Sequence, residues 1–176
     1  MQLSFKGVRE CTAVILMVTL SNQNSSAQNK STMNNPLLQK STLQYQAPAF
    51  NLFKNEHFKP AFEYGLKEQE EELVKITNNS AKPTFENTVL ALELSGADLT
   101  RATSAFYSLT GSNTNPDLQK LEQEFASVFA VHRDKIYLNS KLYQRFKAID
   151  LASLKGEDKK LTEDYLLKFE LAGANL

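Results

Sequence analysis

The two histidines are the residues of this sequence best suited to metal or acid–base chemistry, but neither has the spacing that such chemistry needs. A zinc site of the H-E-x-x-H kind places two histidines four residues apart on one helix, with the glutamate between them as general base. Ala61 stands four residues after His57, and Ile136 stands four residues after His132. We therefore interpret both histidines as ordinary surface or half-buried residues.

The sequence also lacks the patterns that mark a serine or cysteine nucleophile or a phosphate-binding loop. It contains no G-x-S-x-G elbow, and its single cysteine, Cys11, lies in a segment that resembles a secretion signal. The loop at residues 111–115 is too poor in glycine to cradle a phosphate and has no P-loop lysine. We assign no catalytic, cofactor-binding or metal-binding role to any residue of this chain.

Three groups of acidic residues need an explanation, and helix structure supplies one for each. Glu86 follows Pro83 and Thr84. Proline prevents an earlier helical turn, threonine caps the helix, and a carboxylate near its start favours the helix dipole. The alternative for Glu86 is a catalytic acid, but the spacing shows no partner acid or base. The acids within residues 68–72 fit a solvated helix face, and Glu163–Asp164 fit the start of a later helix.

The composition favours one domain built from helices. The chain has 176 residues, a formal net charge of zero, few Gly and Pro residues, and many residues that form helices readily. The even mixture of charges argues against nucleic acid as a partner, because its backbone selects for basic stripes. A single cysteine excludes an internal disulfide.

Residues 1–27 have the parts of a secretory signal peptide. Lys6 and Arg9 precede an uncharged apolar run at residues 12–20, and Ser25 and Ala27 are small residues at the −3 and −1 positions of a cleavage site. The run is too short to span a bilayer, which needs about 20 apolar residues, so we predict no stable membrane insertion. If the signal is real, the protein is exported, to the periplasm or outside the cell. A disordered leader or a misassigned start is the alternative, and the protein would then be cytoplasmic.

The remaining chain divides into a linker with an extended segment, residues 28–54, and a helical domain, residues 55–176. Helices are predicted to begin near Asn55, Thr84, Asn115, Asn139 and Lys155–Gly156. The second is expected to run through Gly96 to Thr110–Gly111, with a close helix contact to explain Gly96. The extended segment is expected to lie over the helices through Leu37, Leu38, Tyr45, Phe50 and Phe53.

Apolar residues at helical spacing define the faces expected in the core. These are Phe58, Phe62, Leu66, Gln69, Leu73 and Ile76; Phe85, Val89, Leu92, Leu99, Ala102, Phe106 and Leu109; Leu118, Leu121, Phe125, Val128 and Phe129; Leu142, Tyr143, Phe146 and Ile149; and Leu161, Tyr165, Leu166 and Phe169. No segment shows clean strand alternation. The prediction is an all-α fold of about five helices packed as an irregular antiparallel array, preceded by the extended segment, the linker and the signal peptide.

Several runs in order resemble the N-terminal part of the peptidyl-dipeptidases (dipeptidyl carboxypeptidases) of the thimet oligopeptidase family of zinc metallopeptidases. The resemblance covers residues 35–176, and Ser140 departs from it where proline is expected after the capping Asn139. The runs that carry it are Asn35–Leu38, YQAPAFNLFKNEHFKPAFEYG from Tyr45, PTFENTVLALELSGADL from Pro83, LTGSNTNPDLQ from Leu109, IYLNSKLYQRFKA from Ile136, and the closing LAGANL.

The resemblance implies a much longer, all-helical enzyme that encloses a deep substrate channel. Its H-E-x-x-H motif and a further glutamate would bind one zinc ion in a larger C-terminal part, which is the missing partner of this chain. The N-terminal helices would wall the channel and admit short peptides, from which the enzyme removes C-terminal dipeptides. None of the family's zinc ligands falls within this chain, so the chain is predicted to be inactive alone.

Two hypotheses remain open. The chain is either the N-terminal fragment of an exported zinc peptidyl-dipeptidase or a stand-alone helical protein-interaction module derived from that family. A domain of about 150 residues buries roughly two-thirds of its unfolded surface, so it can fold independently. If the chain is a fragment, we expect its second, third and fifth helices to leave a contiguous apolar patch exposed.

Overall fold

Helices account for all the regular structure of the described residues. The structure is a computed structural model that describes residues 34–174, and no strand occurs among them. The all-α prediction is therefore confirmed, whereas the predicted signal peptide at 1–27 lies outside the described residues. Three short 3₁₀ turns (Pro36–Leu38, Gln44–Gln46 and Phe50–Leu52) precede α1 (Asn55–Thr77), α2 (a π-helical stretch, Phe85–Leu90, that continues as Ala91–Glu93), α3 (Ala97–Ser112), α4 (Pro116–Tyr137), α5 (Ser140–Lys147) and α6 (Gly156–Ala172).

Helix α1 is the centre of the fold, with α3 antiparallel on one side and α4 parallel on the other. Near the start of α1, Phe62 packs edge-on against Phe106 at the far end of α3. Further along α1, Gln69 bonds to Ser95, just before α3 begins. The parallel order of α1 and α4 follows from two ion pairs, Lys59–Glu124 and Glu70–Lys135, whose members are each separated by 65 residues.

The apolar faces close into two hydrophobic clusters, and α1 contributes to both. The first cluster joins the start of α1 to α3 and α4, and the second joins its end to α2, α5 and α6. The first contains Leu37, Phe58, Ala61, Phe62, Ala102, Ala105, Phe106, Leu118, Leu121 and Phe125. The second contains Leu73, Ile76, Val89, Leu92, Leu142, Tyr143, Phe146, Ile149, Tyr165 and Phe169. Of the residues predicted to face the core, Val128 is an exception, because 40% of it is exposed.

Most predicted helix ends are confirmed. The side chains of Thr84, Asn115 and Asn139 each accept a hydrogen bond from a backbone N–H in the first turn of the helix they cap. Gly173 adopts the left-handed conformation that ends α6. The prediction for Asn55 is wrong: it is the first helical residue, and its side chain instead bonds to Asn115, which ties the starts of α1 and α4 together.

The predicted second helix is interrupted at Gly96, which corrects the expectation of a continuous helix. Gly96 has a φ of 65°, and a Cβ there would meet the Gln69 amide at 2.4 Å. Its N–H donates to the Glu72 carboxylate at 2.7 Å. The close contact expected at this glycine therefore exists, but the chain also turns there. Gly111 does not end the helix either, because α3 continues through it to Ser112.

Helices α1 and α3 cross closely at Gly65, which sequence reasoning did not single out. A Cβ on Gly65 would lie 2.8 Å from the backbone N and Cα of Leu99. Only glycine leaves room for α1 and α3 to approach this closely.

The extended segment is held at its two ends rather than along its length. Asn35 is 3% exposed and its side-chain amide donates to the carbonyl of His57 at 2.7 Å, while Leu37 is fully buried. Leu38 and Phe53 pack against the first cluster, as predicted. The predictions for Tyr45 and Phe50 are wrong, because they are 92% and 40% exposed. Tyr45 lies in a tight turn and has a φ of 58°.

Candidate functional site

His132 is buried between α1 and α4, which corrects the expectation of a surface or half-buried histidine. Only 6% of the residue is exposed. It lies on α4, and its Nε2 is 2.7 Å from the Oε1 of Gln69 on α1. Gln69 in turn bonds to Ser95 in the turn before α3. This short polar layer lies between the two hydrophobic clusters.

The hydrogen bonds of this layer fix the tautomer of His132. The Ser95 hydroxyl donates to the carbonyl of Leu92 at 2.7 Å, so its oxygen accepts from the side-chain amide nitrogen of Gln69. The Gln69 oxygen is therefore the atom that faces His132, and it accepts from the imidazole Nε2–H. That leaves Nδ1 as an acceptor with a lone pair, and it has no hydrogen-bond partner among the described residues.

An apolar groove lies beside His132 at the junction of α1 and α4. We call it the His132 groove; its volume is about 270 Å³. Its walls are mainly apolar, with the Glu70–Lys135 ion pair of 2.5 Å at its edge. The lining residues are Leu66, Glu70, Ser127, Val128, Val131, His132 and Lys135.

The surroundings of His132 favour its neutral form. Burial lowers the pKa of the imidazole most, and the nearby ammonium of Lys135 lowers it further. The carboxylate of Glu70 opposes this effect, but it lies 3.9 Å from Nδ1 and is bonded to Lys135. The site therefore presents a neutral imidazole that can accept a hydrogen bond. Among the described residues, Gln69 is the only side chain that forms a hydrogen bond with the ring.

The other histidine has a structural role at the start of α1. The Nδ1 of His57 accepts a hydrogen bond from the backbone N–H of Lys54 at 3.2 Å. His57 therefore helps to cap α1, whereas His132 bonds to Gln69. Within residues 34–174, no group of three or more His, Cys, Asp or Glu side chains could hold a metal ion. The described residues thus do not fit the zinc ion that the resemblance implies for the whole enzyme.

Glu86 is placed as a helix-opening residue. It is exposed, and hydrogen bonds from its own backbone N–H and from the Thr84 hydroxyl lower the pKa of its carboxyl group. A general acid needs a raised pKa, so that it still carries its proton at neutral pH. Thr84 also accepts from the N–H of Asn87, and Asn87 accepts from the N–H of Thr84, which completes a capping box.

The acidic residues of α1 correct the expectation of a solvated face, because three of them contact neighbouring elements. Glu70 pairs with Lys135, and Glu72 accepts from the backbone of Gly96. Glu68 faces Asp98 of α3, and burial together with the charges of Asp98 and Glu72 raises the pKa of Glu68. The reason is that α3 and α4 flank α1, so these three carboxylates lie next to a neighbouring element, whereas Glu71 remains exposed.

Glu163 and Asp164 lie in the middle of α6 rather than at its start. Each is placed four residues after a lysine that it pairs with, at 4.0 Å for Lys159 and 2.6 Å for Lys160. The acids at the start of α6 are Glu157 and Asp158.

Arg145 is a buried charge that sequence reasoning did not single out. It is 8% exposed and lies on α5. Its guanidinium donates to the carbonyl of Asn79 at 2.5 Å, to the side-chain oxygen of Asn87 at 3.0 Å and to the hydroxyl of Thr88 at 3.2 Å. It thus joins the end of α1 to the capping box of α2. The sequence signal was an arginine within the apolar face of a short helix.

Two curated proteins are similar to most of this chain. The dipeptidyl carboxypeptidase of Salmonella typhimurium is 42% identical over 146 residues, which are 81% of this chain and 22% of that protein. The dipeptidyl carboxypeptidase of Escherichia coli is 41% identical over 146 residues, which are 81% of this chain and 21% of that protein. No protein-family model matches the chain. The chain thus spans about a fifth of the length of the curated relatives it matches.

Proposed function

We propose that this chain is part of a peptidyl-dipeptidase, an enzyme that releases dipeptides from the C-termini of short peptides. The observation that carries the proposal is the 42% identity over 81% of the chain to a protein named dipeptidyl carboxypeptidase. Sequence identity at that level over 146 residues reflects the same fold in the matched part, and it makes the same parent enzyme the best explanation. The resemblance of residues 35–176 to the thimet oligopeptidase family of zinc metallopeptidases supports the further proposal that the parent belongs to that family.

In this proposal the described helices supply a wall of the substrate channel, and the rest of the enzyme supplies the chemistry. The zinc ion would polarise the peptide carbonyl and activate water in that other part. The described residues hold no metal-binding group, so they take no part in that step. The isolated chain should therefore not release dipeptides.

The experiment exchanges the matched segment of the Salmonella relative for the matching residues of this chain. We expect the chimera to release C-terminal dipeptides from short peptides, and zinc chelation to abolish the release. The purified isolated chain should release none under the same conditions. A folded chimera without activity, or chelation-sensitive turnover by the isolated chain, would count against the proposal.

A second candidate is a stand-alone interaction module derived from the same family. It is favoured by the two hydrophobic clusters, because all of their members lie within residues 34–174. The nucleotide sequence beyond the codon of Leu176 separates the two candidates. An open frame that encodes H-E-x-x-H supports the enzyme, and a stop codon with no such frame supports the module.

We also propose that the protein is exported and that the signal at residues 1–27 is removed. The support is the arrangement of charge, apolar run and small residues in that segment. Among residues 34–174, none of the helices combines the length and apolar character that crossing a membrane requires. The N-terminal sequence of the secreted protein tests the proposal, since cleavage after Ala27 predicts Gln28 as the first residue.

A further inference from the structure

Helix α4 carries a second apolar stripe besides the one that faces the core. Val128 and Val131 on α4 are 40% and 56% exposed, and Leu138, the residue that caps the end of α4, is 50% exposed. Their spacing of three and seven residues places them on one side of the helix. Single exposed apolar residues are ordinary, but an exposed stripe beside a groove is typical of a surface that another part covers.

The size and shape of the His132 groove suit the side chains of a protein surface better than a small molecule. Its volume of about 270 Å³ lies below the roughly 300–1,000 Å³ of typical ligand pockets. It lies between two parallel helices, where the apolar side chains of a third helix can insert.

The unpartnered Nδ1 of His132 indicates the chemistry of the occupant. A buried acceptor without a partner is destabilising, so native structures nearly always satisfy it. The nearest carboxylate, Glu70, cannot donate when ionised, and it is 3.9 Å away. A donor that displaces the Glu70 side chain from this position would complete the polar layer.

The length of the curated relatives suggests what would occupy the His132 groove. The curated relatives contain about four-fifths of their length outside the matched segment. Resting on the proposed function, we propose that the His132 groove is the docking surface for that remaining part of the enzyme. The docked part inserts an apolar side chain with an N–H or O–H donor for the Nδ1 of His132.

The test compares two glutamate substitutions at equally exposed valines. Val131 lines the groove and Val74 lies on α1 outside it, with exposures of 56% and 55%. In the isolated full-length chain, Val131→Glu and Val74→Glu should each shift the Tm by about 2 °C or less, because both sites face solvent.

In the chimera with the Salmonella relative, only one of these substitutions should matter. Val131→Glu buries a carboxylate in the apolar part of the docking surface, so we expect trypsin to cleave this chimera about tenfold faster or more than the chimera with Val74→Glu. An active chimera in which both glutamates behave alike would overturn the docking surface alone. A folded chimera that is inactive without either substitution would overturn the proposed function and the occupant with it.

The donor is tested separately by imidazole ¹⁵N spectra, with the His132 signals identified by their loss in His132→Gln. We expect the Nδ1 signal of the isolated chain to show a free acceptor and the signal of the chimera to show a hydrogen-bonded one. An unchanged Nδ1 signal in an active chimera would overturn the hydrogen bond to His132.

Discussion

His132 shows how a single residue links the core to the surface. Its Nε2 completes a chain of hydrogen bonds through Gln69 and Ser95 to the backbone of Leu92. Its Nδ1 is left without a partner beside an apolar groove. A leucine at this position would fill the space, but it would leave the Gln69 oxygen unsatisfied. The polar layer therefore needs an N–H donor at this position even in the isolated chain.

The lowered pKa of His132 makes the free energy of unfolding depend on pH. The unfolded chain binds a proton on this residue near its ordinary pKa of 6.5, whereas burial keeps the folded protein from doing so until a lower pH. The unfolded state thus holds more protons below pH 6.5, and stability falls as the pH falls through that range. We expect urea denaturation from pH 7.5 to about 5.5 to show this loss.

The control is His132→Gln, which retains an N–H donor for Gln69 but does not titrate. The charged groups around the ring, Glu70 and Lys135, remain in this variant. Its stability should fall less than that of the wild type over the same pH range. Equal pH slopes in the two proteins would show that His132 does not carry the effect.

At the level of elements, the crossing of α1 and α3 depends on Gly65. A Cβ at this position lies within 2.9 Å of three Leu99 atoms, two of them backbone, so the helices must separate to accept it. We expect Gly65→Ala to lower the free energy of unfolding by about 1–3 kcal/mol, as overpacking does. Urea denaturation measures it.

Gly111→Ala is the matched control, because Gly111 lies in α3 with nothing within 4 Å of its Cβ position. Alanine there should raise the free energy of unfolding by about 0.5–1 kcal/mol through helix propensity. Changes of opposite sign in the free energy of unfolding for Gly65→Ala and Gly111→Ala would support the close crossing. A stabilising Gly65→Ala would contradict it.

Arg145 is the element-scale link between the end of α1 and the start of α2. Removal of its side chain leaves the carbonyl of Asn79 and the side-chain oxygen of Asn87 without their donor. We expect Arg145→Met to destabilise the protein by about 2–4 kcal/mol in urea denaturation. Arg133→Met, at an exposed position on α4, should change stability by less than about 0.5 kcal/mol. Similar losses for both variants would contradict the role of Arg145.

Local chemistry made most of the fold predictable, and long-range contacts explain what was not. The caps at Thr84, Asn115 and Asn139 are built from residues within one turn, so the sequence alone identifies them. The break at Gly96 depends on Gln69 and Glu72, which come from a different helix. No local pattern carries that information.

The candidate site was missed for the same reason. His132 is buried because α4 lies parallel to α1 and brings Gln69 to it, a contact between residues 63 positions apart. In the sequence, His132 follows Val128 by four residues and Phe129 by three, so it continues the apolar face, whose predicted last member is Phe129. The sequence indicates which residues share one helix face, but it does not indicate that His132 of α4 meets Gln69 of α1.

At the scale of the whole molecule, the described residues combine two buried hydrophobic clusters with several large apolar side chains that are exposed to solvent. The two clusters bury the predicted faces of the helices. The exterior still exposes large apolar side chains on or next to α2, α4 and α6, which lie within the second, third and fifth predicted helices that were expected to leave an apolar patch. They include Leu90, Leu94, Val128, Val131, Leu167 and Leu171, with exposures of 36%, 65%, 40%, 56%, 53% and 79%.

This exterior predicts how the isolated chain behaves in solution. Large exposed apolar side chains that a partner normally covers bind hydrophobic dyes and favour association. We expect the purified full-length chain to bind such a dye, or to self-associate in sedimentation experiments.

Polar substitution of Leu167 and Leu171 should reduce both effects without lowering the Tm, because 53% and 79% of these residues are already exposed. The same substitutions should weaken the chimera, in which these leucines would be covered. A monomer that binds no dye would instead favour the stand-alone module, because its surface would then need no further part of an enzyme.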